Sequence, residues 1–181
     1  MNLLPLSKSL RSIAVIGPNA DERTQLICRY GPANAPIKTV YQGIKERLPH
    51  TEVIYRKGCD IIDPHFPESE VLDFPKTTEE ARLMEEAIHA AKQAEVVVMV
   101  LGGNELTVRE DRSRTSLNLP GRQEELLKAV CATGKPVVFS AARRTRFFHK
   151  LCSSPCTCHS ARLVPWGILR PSRGRSFVRR L

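Results

Sequence analysis

EVVVMVLGGNELTVREDRSRTSLNLPGRQ, residues 95–123, changes character twice within one short span. Val96 to Leu101 is an unbroken apolar run of strand length, and Gly102-Gly103 ends it. A polar loop follows, dense in ionisable groups: Glu105, Arg109, Glu110, Asp111, Arg112 and Arg114. The loop closes at Leu119-Pro120-Gly121, where proline suits the first turn of a helix. An apolar run without polar alternation is the pattern of a strand covered on both faces, as in parallel sheets. Open sheets of that kind bind ligands in the loops beyond the carboxyl ends of their strands. The spacing therefore predicts a site in this loop.

The flanking sequence extends the same pattern in both directions. Upstream, TTEEARLMEEAIHAAKQA (Thr77 to Ala94) is a helix. Thr77 and Glu80 form a capping box, and Ala81, Met84, Ala87, Ile88 and Ala91 share one face, which His89 borders. Downstream, Leu126, Leu127 and Val130 give the apolar side of a helix that Gly134 stops, and Lys135 to Phe139 opens a strand. Nearer the start, Leu10 to Ile16 reads as a strand, followed by the turn Gly17-Pro18-Asn19-Ala20-Asp21. That turn lacks the G-x-G-x-x-G glycines that let a backbone approach pyrophosphate, so a strand-to-helix turn is the better reading. Residues 22–31 are at best a short helix ending at Gly31, Val40 to Leu48 has helical spacing, and Thr51 to Tyr55 is a second strand. Residues 58–75, punctuated by Pro64, Pro67 and Pro75, read as an irregular surface segment in which His65 is solvated. The order β-α-β-α-β-α-β, without tight hairpin turns, predicts an α/β fold: a mostly parallel sheet flanked by helices, three layers in all.

Charge divides the chain. The 181 residues carry a net charge of +9, but residues 141–181 hold nine arginines, one lysine and no carboxylate, leaving −1 for the rest. Cysteines divide too, with Cys28, Cys59 and Cys131 scattered and Cys152, Cys156 and Cys158 crowded together. The sequence thus separates into a domain over 1–140 and an irregular, basic, Cys/Arg-rich tail over 141–181. No apolar stretch reaches the roughly 18 residues of a membrane span, and MNLLPLSKSLRS lacks a signal-peptide core. The expectation is a chain without membrane association, its compartment undetermined.

Charge pattern alone leaves Glu110 with two readings. Arg109, Arg112 and Arg114 can hold it ionised in a structural ion-pair network, or it can serve as a general acid/base. A third use of the same loop is non-catalytic: carbohydrate or a protein partner held by Arg109 and Arg112.

NLLPLSKSLRSIAVIGPNAD, the helix and strand after it, LGGNELTVREDRSRTSLNLPGRQEELLKAV and TGKPVV together resemble the C-terminal α/β sandwich domain of glycoside hydrolase family 3, the β-glucosidase and β-xylosidase family. The resemblance covers about residues 2–139. It implies hydrolysis of β-linked sugars by two domains: a barrel supplies an Asp nucleophile, and the sandwich domain lends a loop with the acid/base glutamate, matched here by Glu110. It implies a carbohydrate substrate, with weaker roles for Arg109 and Arg112 in binding it, no cofactor and no metal. The match starts at the family's second domain, so the resemblance further implies a fragment without the barrel and nearly inactive alone, with the barrel as its partner. Gly103 departs from many relatives, which carry a glutamate there.

After Val138 the family continues into further strand–helix units, whereas this chain turns arginine-rich, so an incomplete sheet is expected. Charge, cysteine content and periodicity change together inside one strand, and we read that as a shifted reading frame. Cys152, Cys156, Cys158 and His159 are zinc-ligand types at a spacing that matches no familiar knuckle. No nucleic-acid-reading module accompanies the arginines, and none is expected to bind nucleic acid.

Overall fold

In the computed structural model, which describes residues 5–23, 37–107, 114–116 and 118–142, four strands and three helices alternate. They are β1 (Ser12–Ile16), α1 (Val40–Arg47), β2 (Glu52–Arg56), α2 (Thr78–Gln93), β3 (Val96–Gly102), α3 (Gln123–Cys131) and β4 (Val137–Ala142). The strands form one sheet in the order β2-β1-β3-β4, and every pairing is parallel.

β3 lies at the centre because all seven of its residues are buried. Its alternate side chains serve two cores. Val97, Met99 and Leu101 pack with Met84, Ala87 and Ala91 of α2 and with Leu126, Leu127 and Val130 of α3. Val96, Val98 and Val100 pack on the other face with Val40 and Ile44 of α1, beside Ile13 and Val15 of β1. The three-layer α/β sandwich is therefore as the apolar run implied: a strand with no polar face needs cover on both sides. At a few kcal/mol for each large buried side chain, truncating Leu126 or Met99 to alanine would cost about 2–5 kcal/mol.

Helix boundaries follow local chemistry. The capping box on α2 has both halves, Thr77 Oγ1 accepting from Glu80 N and Glu80 accepting from Thr77 N. α1 has a second one, Thr39 with Gln42. Pro120 is not in the first turn of α3, as its position had suggested; the helix begins three residues later at Gln123. Gly121 explains the delay, since its φ of +55° is not helical and its missing Cβ lets Ile61 O approach to 3.1 Å of that position.

Residues 58–75 depart from expectation in part. They are irregular and largely exposed from Pro64 onward, as expected, but their start turns inward, with Cys59, Ile61 and Asp63 buried, and Glu68–Glu70 makes a 3₁₀ turn. His65 is exposed yet stacked on Phe74, ring centroids 4.1 Å apart, while His89 is simply exposed. β4 runs through Ala142, keeping register with β3 two residues beyond position 140. Most of the 22–31 helix, and all of the tail from 143, lie outside the described residues.

Gly17 tests the central packing. Its φ is +131°, and a Cβ there would stand 2.2 Å from Val100 O, so strain and a backbone clash coincide. Gly17→Ala is expected to lower unfolding free energy by about 3 kcal/mol or more, read as a reduced urea midpoint at unchanged m-value.

Candidate functional site

The sheet order sets where the loops part. From β1 the chain leaves to α1 on one face, and from β3 it leaves toward α3 on the opposite face, so the two adjacent strands open a crevice beyond their carboxyl ends. Pro18 after β1, Asn104 and Leu106 after β3, and Lys57, Asp60 and Ile61 after β2 line a depression at this edge.

At the end of β3 the buried Gly102 has both its backbone groups bonded. Its N–H donates to Gln123 Oε1 at 2.7 Å, and its carbonyl accepts from Gln123 Nε2 at 3.2 Å and Asn19 Nδ2 at 3.0 Å. Gln123 is fully buried and also reaches Ile61 O at 3.4 Å. One side chain thus joins β3, the start of α3 and the segment after β2. In a buried setting each of these polar groups would be costly to leave unpaired, so together they fix where the loop departs.

The loop itself is held at both ends. At its start, Asn104 Oδ1 accepts from Leu106 N at 2.7 Å, and Thr107 Oγ1 accepts from Asn104 N at 3.0 Å. Such a turn is the local habit of asparagine and threonine, and Asn-x-x-Thr at 104–107 is the signal that would have found it. At its end, Arg114 Nε donates to Glu70 Oε1 at 2.6 Å, while Thr115 N and Oγ1 donate to Glu70 Oε2 at 2.8 and 2.9 Å. The Glu70 and Arg114 side chains are only 6% and 12% exposed, unlike the Arg82–Glu79 pair at 54% and 61%. Exposed pairs of the latter kind contribute little, whereas breaking a buried, hydrogen-bonded pair is expensive. A second tie follows, Arg122 donating to Phe74 O at 2.6 Å and lying 3.4 Å from Glu80 Oε1.

Glu110, Arg109 and Arg112 lie outside the described residues, as do Asp111 and the Cys152–His159 cluster. Of the loop's arginines the structure describes Arg114, which it brings to Glu70. Among the described residues no group of three or more His, Cys, Asp or Glu is placed to hold a metal, and no helix is long and apolar enough to cross a membrane.

The sequence over residues 1–150 matches the family model described as glycosyl hydrolase family 3 C-terminal domain. The chain belongs to glycoside hydrolase family 3. This family 3 domain is 39% identical to a β-xylosidase of Formosa agariphila over 145 residues, covering 76% of the chain and 18% of the xylosidase. It is 36% identical to a periplasmic β-glucosidase of Salmonella typhimurium over 151 residues, 76% of the chain and 19% of the glucosidase. Among solved structures, a β-glucosidase from Erythrobacter marinus aligns with a TM-score of 0.62 and 31% identity, over 78% of this chain and 21% of that one. A β-glucosidase from Listeria innocua in complex with glucose aligns with a TM-score of 0.60 and 27% identity, over 84% and 19%. The family 3 chain therefore spans less than a quarter of the length of these relatives.

Two carboxylates around the site carry a pH signature. Burial pushes the Glu70 carboxyl up, but the Thr115 amide and hydroxyl and the Arg114 guanidinium outweigh it, leaving its pKa below the usual 4.5. Glu80 is likewise pushed up by burial and brought below 4.5 by Thr77 and Arg122. Depressed carboxylates contribute stability that is complete above their unfolded pKa and is lost as pH falls through the folded value. Urea-unfolding free energy is expected to be level above about pH 5 and to drop below pH 4.5. Glu80→Gln keeps the capping box but loses the charge facing Arg122, so it should cost about 1 kcal/mol at pH 7 and flatten part of that acid decline.

Proposed function

We propose that this chain supplies the general acid/base, Glu110, for retaining hydrolysis of β-linked sugars, with the nucleophilic Asp provided by a barrel domain. The reading is supported by the loop bearing Glu110: it leaves a switch-point crevice and is tied by hydrogen bonds at both ends, buried at Asn104–Thr107 and part-buried at Arg114–Glu70, as a catalytic group must be held. Relatives named as β-xylosidase and β-glucosidase support the substrate class.

The chemistry runs in two steps. The Asp carboxylate attacks the anomeric carbon as its bond to the leaving oxygen breaks, and Glu110 gives its proton to that oxygen. Glu110, now a carboxylate, takes a proton from water, whose oxygen attacks the same carbon and expels the Asp. The two carboxyl groups must then stand about 5–5.5 Å apart. No cofactor or metal enters either step. Arg109 and Arg112 would favour ionised Glu110 in the second step and contact sugar hydroxyls.

The test is hydrolysis of aryl β-glucosides and β-xylosides by the full chain, alone and mixed with the barrel domain of a family 3 β-glucosidase. We expect turnover in the mixture and almost none from the chain alone. Glu110→Gln should lower kcat about a hundredfold or more for poor leaving groups, and less for activated phenols that depart without a proton. Turnover indifferent to Glu110→Gln would refute the assignment. Loss of sugar affinity without a change in turnover would favour the loop as a non-catalytic binding module.

A further inference from the structure

We propose that Glu70 is the positioning residue for the acid/base loop, acting through Arg114 and Thr115; this rests on the reading of Glu110 given above. Glu70 ends a three-residue 3₁₀ turn, Glu68–Glu70, that packs no apolar side chain into either core. Its carboxylate is nonetheless nearly buried, and both oxygens are committed 44 and 45 residues along the chain. Oε1 takes the Arg114 guanidinium, and Oε2 takes the Thr115 amide and hydroxyl. One side chain therefore fixes backbone, side chain and charge at a single point of the loop's exit.

The turn that presents Glu70 is itself braced. Asp63 accepts from His65 N at 2.9 Å and from Ser69 Oγ at 2.7 Å, and Glu70 N donates to Pro67 O at 3.0 Å. Arg114 passes the constraint onward by donating Nη2 to Asn118 O at 2.9 Å. In sequence, Glu110 is three residues beyond the Asn104–Thr107 turn and four before Arg114, at most about 14 Å of extended chain from the Glu70 anchor. A small displacement at so near an anchor moves the carboxyl that must reach the leaving oxygen, and catalysis is steep in such displacements.

Two measurements on the full chain separate this inference from the one it rests on. Hydrogen exchange is followed over 104–116 in the wild type, Glu70→Gln and Arg114→Gln, with β3 and α3 as internal controls. We expect exchange of the Thr115 amide and its neighbours to rise at least tenfold in both variants, while β3 and α3 keep their protection. In the barrel mixture, Glu70→Gln should lower kcat at least tenfold for poor leaving groups, leave KM within twofold and spare activated substrates. Glu70→Asp, which keeps the charge on a shorter arm, should recover part of the loss. Unchanged exchange in both variants, or raised exchange with kcat unaltered, overturns the role of Glu70. If exchange rises and kcat falls while Glu110→Gln is silent, the anchor stands and the assignment of Glu110 is wrong. A variant that also loses protection in β3 is misfolded globally, and if both variants do so Glu70 is a stability residue, which also overturns the proposal.

Discussion

Everything at the functional end of this domain depends on how a doubly covered strand is allowed to stop. β3 has no polar face, so its last peptide, at Gly102, must find hydrogen bonds away from water. Gln123 and Asn19 provide them, and in doing so they bring the loop after β1, the segment after β2 and the start of α3 to one point. A fully buried glutamine is worth its desolvation only if its donors and acceptor are used, and here both ends are. The crevice results from the burial of the strand combined with this knot.

The loop that follows is arranged differently at its two anchors. Its start is a local device, Asn104 and Thr107 bonding to backbone within the same turn. Its exit depends on a partner far away in sequence, the buried Glu70 carboxylate. Placing charge there is costly unless it is fully satisfied, and the three donors from Arg114 and Thr115 meet that condition. The same satisfaction lowers the Glu70 pKa and links the loop's exit to acid stability.

Membership of family 3 is consistent with this division of labour. The relatives are four or more times longer in the matched comparisons, and the reaction needs two carboxylates from different places. Under the acid/base role proposed above, a loop that carries one carboxylate must be held at its ends. Hydrogen bonds to Asn104, Thr107, Arg114 and Thr115 do this at the ends, leaving six residues between Thr107 and Arg114 to carry the ionisable groups.

Periodicity determined the sheet. Val96 to Leu101 announced a buried parallel strand, Thr77 with Glu80 announced a helix start, and the alternation of strands and helices announced three layers, because each signal lies within a few residues of its consequence. The family was legible as well, through long ordered motifs. Tertiary structure alone decided the rest. Gly121 overrode Pro120 as the helix boundary because a distant carbonyl approaches it, and Cys59, Ile61 and Asp63 turn inward at the start of a segment that is otherwise surface. Glu70 had no local mark to distinguish it from Glu68 two positions earlier. Its importance comes from meeting Arg114 and Thr115 across 44 and 45 residues of chain, and no spacing rule in sequence encodes a contact that only folding creates.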